Sequence, residues 1–78
     1  HAPLDIRLAD LGDQHFRLIG TTGPATLFVL DAMGREQATV HLSSNEEGTA
    51  PFDLSPLSKG VYVLDIPGRW RSRVLLTE

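Results

Sequence analysis

Few residues of this sequence could take part in catalysis or bind a metal ion, and their spacing forms neither a catalytic site nor a metal site. His15 and His41 fall on the outward faces of two predicted strands, with no carboxylate at a ligand-like spacing beside either of them. Glu46 and Glu47 form one acidic pair in a polar loop, which supplies too few oxygen ligands for Ca²⁺. Motifs such as GxSxG, HExxH or a glycine-rich phosphate loop are absent from the sequence. We therefore expect no enzymatic activity, no cofactor and no bound metal ion.

A stripe of arginines is the strongest candidate for a binding surface. Arg69, Arg71 and Arg73 alternate along the chain, so that a strand would bring all three to one face. Trp70 would then point inward, into the core. The stripe could bind phosphate or carboxylate groups. It could also protect an exposed strand edge from unwanted pairing, and the two roles are compatible.

A second candidate surface is a strand that is apolar on both sides. If Leu27 and Val29 point inward, Phe28 and Leu30 point outward. A strand of this kind needs cover on both faces. The cover could be a preceding domain of a longer protein, a second copy in a weak homodimer, a receptor, or a loop of the same domain.

Length and composition limit the chain to one small domain, residues 1–78. The sequence is 41% hydrophobic and 22% charged, which suffices for one small core and argues against disorder. The absence of cysteine excludes a disulfide framework and a thiolate metal site. A net charge of −3 argues against nucleic acid as a partner. The start at His1 lacks the features of a signal peptide, which suggests a piece of a longer protein.

The elements that must position these residues are strands. Short segments of alternating or continuous apolar residues, separated by turn residues about every ten positions, predict about seven strands. Pro51 should place its strand at a sheet edge, and Gly34 should adopt a left-handed conformation in a type I turn. The predicted strands are 4–8, 14–20, 25–31, 35–42, 50–54, 61–66 and 69–78, with turns at 10–13, 31–34 and 67–68, a polar loop at 43–49, and a tight turn or single helical turn at 55–60.

This pattern predicts an all-β fold, an immunoglobulin-like β-sandwich of about seven antiparallel strands with Greek-key connections. A small barrel is the alternative. Leu57, Gly60 and Tyr62 have the spacing of a tyrosine corner, in which a buried ring ties its hydroxyl to the preceding turn. Tyr62 could instead be a plain core residue.

Three segments occur in an order and spacing that resemble a known family. They are TLFVLDAMGREQATV, FDLSPLSKGVYVLDI and RSRVLL. Together they resemble the type A C-terminal sorting domain of type IX secretion (Por secretion system) cargo from Bacteroidota such as Porphyromonas and Flavobacterium. The likeness covers residues 25–76, about two-thirds of the chain. The residues that match the family's motifs, and that the resemblance implies for recognition, are Gly34, Arg35, Gly60, Tyr62, Arg71, Arg73, Val74, Leu75 and Leu76.

The sequence departs from the family's pattern at three places. Arg73 stands where the family more often has lysine, and the chain ends in Thr77-Glu78 where a basic residue is usual. The opening segment HAPLDIRL replaces a common PNP segment. These departures suggest one of the variants that stay uncleaved.

The resemblance implies a route through the cell envelope. The folded domain would be recognised in the periplasm by the outer-membrane translocon, which would carry the parent protein to the cell surface. A sortase-like protease would then remove the domain and join the cargo to an anionic lipopolysaccharide. In uncleaved members the domain would persist and bind a partner. The alternatives are an immunoglobulin-like binding or spacer module of a surface protein, and a module that itself binds anionic lipopolysaccharide.

Overall fold

The part of the chain that the structure describes forms seven antiparallel strands. The computed structural model describes residues 6–21, 23–43 and 48–77. The strands are β1 (Arg7–Gly12), β2 (His15–Ile19), β3 (Pro24–Asp31), β4 (Glu36–Ser43), β5 (Thr49–Asp53), β6 (Gly60–Ile66) and β7 (Trp70–Leu76). No helix in these ranges is long and apolar enough to cross a membrane. The predicted loop at 43–49, with Glu46 and Glu47, lies mostly outside the described residues.

The strands form two sheets in a sandwich-like arrangement, which confirms the predicted all-β class. One sheet has three strands in the order β1-β2-β5, and the other has four in the order β4-β3-β6-β7. All neighbouring strands are antiparallel. Pro51 lies in β5, an edge strand as predicted, because a residue without an N–H weakens pairing inside a sheet.

The core lies between the two sheets and follows from the alternation of side chains along each strand. In β2 and β6, for example, every second residue is buried and the residues between them are more exposed. Phe16 and Phe52 stack in the three-stranded sheet with ring centroids 5.7 Å apart. Trp70 is half-buried and packs against the core, which confirms its inward direction. The buried hydrophobic residues are Phe16, Leu18, Leu27, Val29, Leu42, Ala50, Phe52, Leu54, Tyr62, Leu64, Ile66 and Leu76.

The first turn of the chain lies later than the predicted 10–13, so that prediction is wrong. Strand β1 continues to Gly12, with a bulge between Asp10 and Gly12, and the turn consists of Asp13 and Gln14. Both residues have positive φ, +52° and +63°, as a two-residue type I′ turn requires. Gln14 is held there because its main-chain oxygen accepts a hydrogen bond from the N–H of Leu54 at 2.9 Å.

The turn between β6 and β7 is also longer than predicted. It contains Pro67, Gly68 and Arg69, closed by a 2.9 Å hydrogen bond from the N–H of Arg69 to the oxygen of Ile66. Strand β7 therefore begins at Trp70. The prediction that Arg69 shares a strand face with the other two arginines is wrong, because Arg69 belongs to the turn.

Candidate functional site

The turn between β3 and β4 is organised by the side chain of Asp31. Its Oδ1 accepts hydrogen bonds from the N–H groups of Met33 and Arg35, each at 2.9 Å. Its Oδ2 accepts from Arg35 Nε at 3.1 Å and from Gln37 Nε2 at 2.9 Å. Gly34 has a φ of +85°, which confirms the predicted left-handed residue. Both Gly34 and Arg35 are therefore explained by the geometry of the turn.

Hydrogen bonds lower the pKa of two carboxyl groups. For Asp31 the largest cause is the N–H of Arg35, and desolvation opposes it. The N–H of Met33 and the charge of Arg35 lower the pKa of Asp31 further. For Asp53 the N–H and the hydroxyl of Ser55 lower the pKa most, and His15 adds a smaller charge effect. Hydrogen bonds of this kind favour the ionised form of each carboxylate.

Acid should destabilise the domain through these two groups. The ordinary pKa of 3.8 is lowered in the folded state, so the ionised groups stabilise the fold above pH 3.8, and this contribution is lost as the pH falls through the folded-state values. We expect the free energy of unfolding to fall more steeply below pH 3.8 in the wild type than in an Asp31→Asn/Asp53→Asn variant. Urea denaturation at a series of pH values, followed by Trp70 fluorescence, measures both slopes. Asp13→Asn, in the exposed β1–β2 turn, shows the effect of losing one carboxylate charge, half of the charge that the double variant loses. Parallel slopes in the wild type and the double variant would contradict the expected role of Asp31 and Asp53.

The hydroxyl of Tyr62 forms the predicted tyrosine corner. It donates a 2.9 Å hydrogen bond to the main-chain oxygen of Ser58, and the residue is 8% exposed. Residues 55–59 form turns and bends, the first of the two predicted alternatives. Gly60, at the start of β6, has a φ of +148°, a conformation that L side chains rarely adopt. The matched segment around Gly60 and Tyr62 thus fixes how the chain enters β6.

Loss of the Tyr62 hydroxyl should destabilise the domain. A Tyr62→Phe variant leaves the Ser58 oxygen without this donor, and we expect a loss of about 1–2 kcal/mol in the free energy of unfolding. Urea denaturation measures the difference. Ser58→Ala is the matched control, because the bond is made to the main-chain oxygen, and it should leave the stability close to that of the wild type. An equal effect of both variants would show that the corner bond is not what stabilises this turn.

Strand β7 divides its residues between the core and the surface. Val74 packs against the core and Leu76 is 2% exposed, whereas Leu75 is 61% exposed. The register pairs Leu76 with Gly60 and Val74 with Tyr62, and β3 pairs Asp31 with the same tyrosine. The Gly34-Arg35 turn, the start of β6 and the end of β7 are thereby brought to one end of the four-stranded sheet.

The two arginines of β7 are in different situations. Arg71 Nε lies 3.4 Å from Oδ1 of Asp65, its cross-strand neighbour on β6. Arg73 is exposed and lies opposite Val63. Among the described residues, no hydrogen bond or ion pair engages the guanidinium of Arg73. The predicted arginine stripe is therefore one paired arginine and one that is available to a partner.

The outer face of the four-stranded sheet, turned away from the three-stranded sheet, carries an apolar patch. We use "outer patch" for Phe28, Leu30, Val61, Val63 and Leu75. Register places Leu30 opposite Val63 and Val61 opposite Leu75, so that these side chains are neighbours across three strands. The first two residues of the patch are half-buried, and Val61 and Leu75 are 42% and 61% exposed. All seven strands of the described residues belong to the two sheets, so no strand among those residues covers the outer patch.

A shallow hollow lies at the β7 side of the outer patch. It has a volume of about 330 Å³ and is lined by Val61, Arg73, Val74 and Leu75. Sequence reasoning missed the contribution of β6, although Val61 and Val63 alternate with the inward-facing Tyr62 and Leu64 and are themselves apolar. The apolar character of both alternating sets in β6 is the sequence signal that could have predicted this contribution. The pairing of β6 with β7, which brings the two apolar sets together, cannot be obtained from either strand alone.

In the described part of the chain, the histidines do not lie in clusters of side chains that could bind a metal ion. His15 lies opposite Asp53, with His15 Nδ1 3.8 Å from Asp53 Oδ1, a contact that the pairing of β2 with β5 creates. His41 is exposed on β4. Within residues 6–21, 23–43 and 48–77, no group of three or more histidine and carboxylate side chains could hold a metal ion.

No protein-family model, curated protein or solved structure matches the chain. The function of the chain is therefore inferred from its own residues and from their positions in the fold.

Proposed function

We propose that this chain is a sorting domain of the type IX secretion type, which directs its parent protein from the periplasm through the outer-membrane translocon to the cell surface. The chain acts as a recognition module and not as an enzyme. A sortase-like protease that removes the domain, with attachment of the cargo to anionic lipopolysaccharide, belongs to the same proposal. So does the alternative fate, in which the domain stays uncleaved and binds a partner.

The observation that supports the proposal concerns the nine residues that match the family's motifs: most of them stabilise the fold, and the rest lie on the surface of one strand. Six of the nine have a structural explanation: turn geometry accounts for Gly34 and Arg35, entry into β6 for Gly60 and Tyr62, and core packing for Val74 and Leu76. The other three, Arg71, Arg73 and Leu75, share the outer face of β7. The motif residues thus stabilise a small domain and place one strand face on its surface, where a secretion component could recognise it.

We further propose that the sandwich is immunoglobulin-like with Greek-key connections. The strand order supports this: the first, second and fifth strands form one sheet, and the third, sixth and seventh are consecutive in the other. The chain crosses between the sheets after β2, β4 and β5, so consecutive hairpins are interleaved. The tyrosine corner at the start of β6 is a further feature of such sandwiches.

A plain binding or spacer module of a surface protein is the second candidate, and the exposed outer patch favours it as much as it favours an address. The two candidates differ in the role of β7. A sorting domain needs Arg73 and Leu75 for recognition, whereas a spacer does not need these two residues together. Binding of anionic lipopolysaccharide stays a prediction. Arg73, which has no ion-pair partner among the described residues, supports such binding, and the inward direction of Trp70 argues against it.

The experiment that tests the proposal is an export assay. Residues 1–78 are fused behind a periplasmically targeted fluorescent reporter in a bacterium with type IX secretion, beside a fusion that lacks Arg69–Glu78. We expect the intact fusion on the cell surface and the shortened one in the periplasm, and the mass of the surface species reports cleavage. Equal surface display of both fusions, or display of neither, would contradict the proposal.

A further inference from the structure

We propose that β7 accepts a partner strand along its open edge, and that this strand carries an acidic side chain opposite Arg73 and an apolar side chain opposite Leu75. The partner is an extended segment of another protein. The inference deepens the proposed function and rests on it for the source of that segment, a component of the secretion machinery. Three observations on the described residues carry it.

The first observation is that β7 differs from the other three edge strands. Strand β1 has a bulge between Asp10 and Gly12, and β5 contains Pro51. The third edge strand, β4, has a register shift in its pairing with β3, between Val29 and Leu30. Bulges and prolines of this kind prevent strand addition. Strand β7 pairs with β6 over all seven residues without a shift. Every second residue of β7 therefore directs its N–H and C=O away from β6, in a regular row that a new strand can use.

The second observation is the charge on this edge. Arg73 lies in the middle of β7 with no partner for its guanidinium among the residues that the structure describes, while the chain as a whole has a net charge of −3. Arg71 is already engaged by Asp65. An incoming strand thus meets one available cation at one register position. A carboxylate placed opposite Arg73 would satisfy it and fix the register of the added strand.

The third observation is the hollow beside that cation. It is lined by Val61, Val74 and Leu75 together with Arg73, and its volume of about 330 Å³ can take one or two apolar side chains. Leu75 is 61% exposed, so an apolar side chain from an added strand would remove much of its surface from water. Main-chain pairing would supply affinity, and the hollow with Arg73 would supply specificity.

A second copy of this chain fits the edge less well. In a symmetric antiparallel pair centred on Arg73, that arginine faces its own copy, and a pair centred on Ser72 sets Arg71 against Arg73. A pair centred on Val74 places Arg73 opposite Leu75 and leaves the cation unsatisfied. The charge on β7 therefore favours an acidic partner over self-association.

The test is a titration of the labelled 78-residue chain, followed by NMR, with capped seven-residue peptides as probes. The peptide acetyl-Thr-Leu-Val-Glu-Val-Thr-Thr-amide sets leucine opposite Leu75 and glutamate opposite Arg73 when it adds antiparallel. A second peptide has lysine in place of the glutamate. We expect saturable shifts confined to β6 and β7, slowed amide exchange at alternate β7 residues, and a preference for the glutamate peptide of about threefold to tenfold.

Two variants make the test decisive. Arg73→Glu should reverse the preference, so that the lysine peptide binds more tightly than the glutamate peptide. Arg69→Glu changes the net charge equally but lies in the turn, and it should keep the wild-type preference. Absence of binding, shifts outside β6 and β7, an equal effect of both variants, or a dimer in sedimentation that excludes the peptide would each overturn the inference.

The outcome is separable from that of the export assay. If the intact fusion reaches the surface and no acidic strand binds, the inference fails and the proposed function stands. If the peptides bind with the expected preference and the fusion stays in the periplasm, β7 is a strand-binding edge and the proposed source of the strand is wrong.

Discussion

Replacing Leu76 by alanine is expected to lower the free energy of unfolding by about 2–5 kcal/mol, whereas the same change at the adjacent Leu75 should cost less than about 1 kcal/mol. Leu76 is 2% exposed and Leu75 is 61% exposed, although both are leucines at the end of β7. Truncation of the buried side chain leaves a cavity between the sheets, and truncation of the exposed one does not. A domain of this size has about 4–12 kcal/mol of stability in total, so the Leu76 variant should be partly unfolded at modest urea concentrations.

Urea denaturation followed by the single tryptophan, Trp70, measures both effects, since this residue packs against the core from the same strand. The pair of variants also tests the register of β7. A slip of one residue would exchange the two faces of the strand, and Leu75 would then be the costly position. Equal losses at the two positions would contradict the described placement of β7, on which the whole account of the surface depends.

Changing the outer face of β7 is expected to reduce export strongly without unfolding the domain. An Arg73→Glu/Leu75→Ser variant reverses the charge of Arg73, which has no partner among the described residues, and removes the most exposed apolar side chain of the outer patch. Recognition surfaces concentrate their energy in a few residues of this kind, so we expect surface display to fall by about tenfold or more while stability changes by less than about 1 kcal/mol.

The matched control for this variant lies on the other sheet. Arg17→Glu/Leu11→Ser makes the same two chemical changes at exposed positions of β2 and β1. It alters net charge and surface hydrophobicity by the same amounts and leaves β7 intact. Display should equal that of the unchanged domain. If the two double variants are exported equally well, or fail equally, export depends on overall surface character and β7 is not the address.

Most of the strands could be predicted from the sequence because each buried face repeats with a period of two. Strands β3, β4, β5 and β6 lie within two residues of their predicted bounds for this reason. The first turn lies later than predicted because Asp13 and Gln14 both adopt positive φ although neither is a glycine. Contacts of Gln14 with residues distant in sequence hold this turn in place. One such contact is the 3.3 Å hydrogen bond from Gln14 Nε2 to the oxygen of Thr77, 63 positions along the chain.

The candidate site could be predicted only in part, because its decisive features depend on which strands pair. The sequence indicated that Arg71 and Arg73 share a face. It could not indicate that Asp65 neutralises the first and leaves the second available, since that follows from the β6–β7 register. The same holds for the outer patch. Phe28 and Leu30 were expected to need cover, but their continuity with Val61 and Leu75 depends on β3 and β7 lying on either side of β6.

The proposed role as an export address is best tested by measuring whether surface display depends on the outer-membrane translocon. The intact fusion of residues 1–78 is expressed in a type IX-competent host and in the same host without its outer-membrane translocon, and the fraction of reporter accessible to an external protease is measured. We expect the reporter to be accessible in the first host and protected in the periplasm of the second. Equal accessibility in both hosts, or protection in both, would contradict the claim that this domain is an export address.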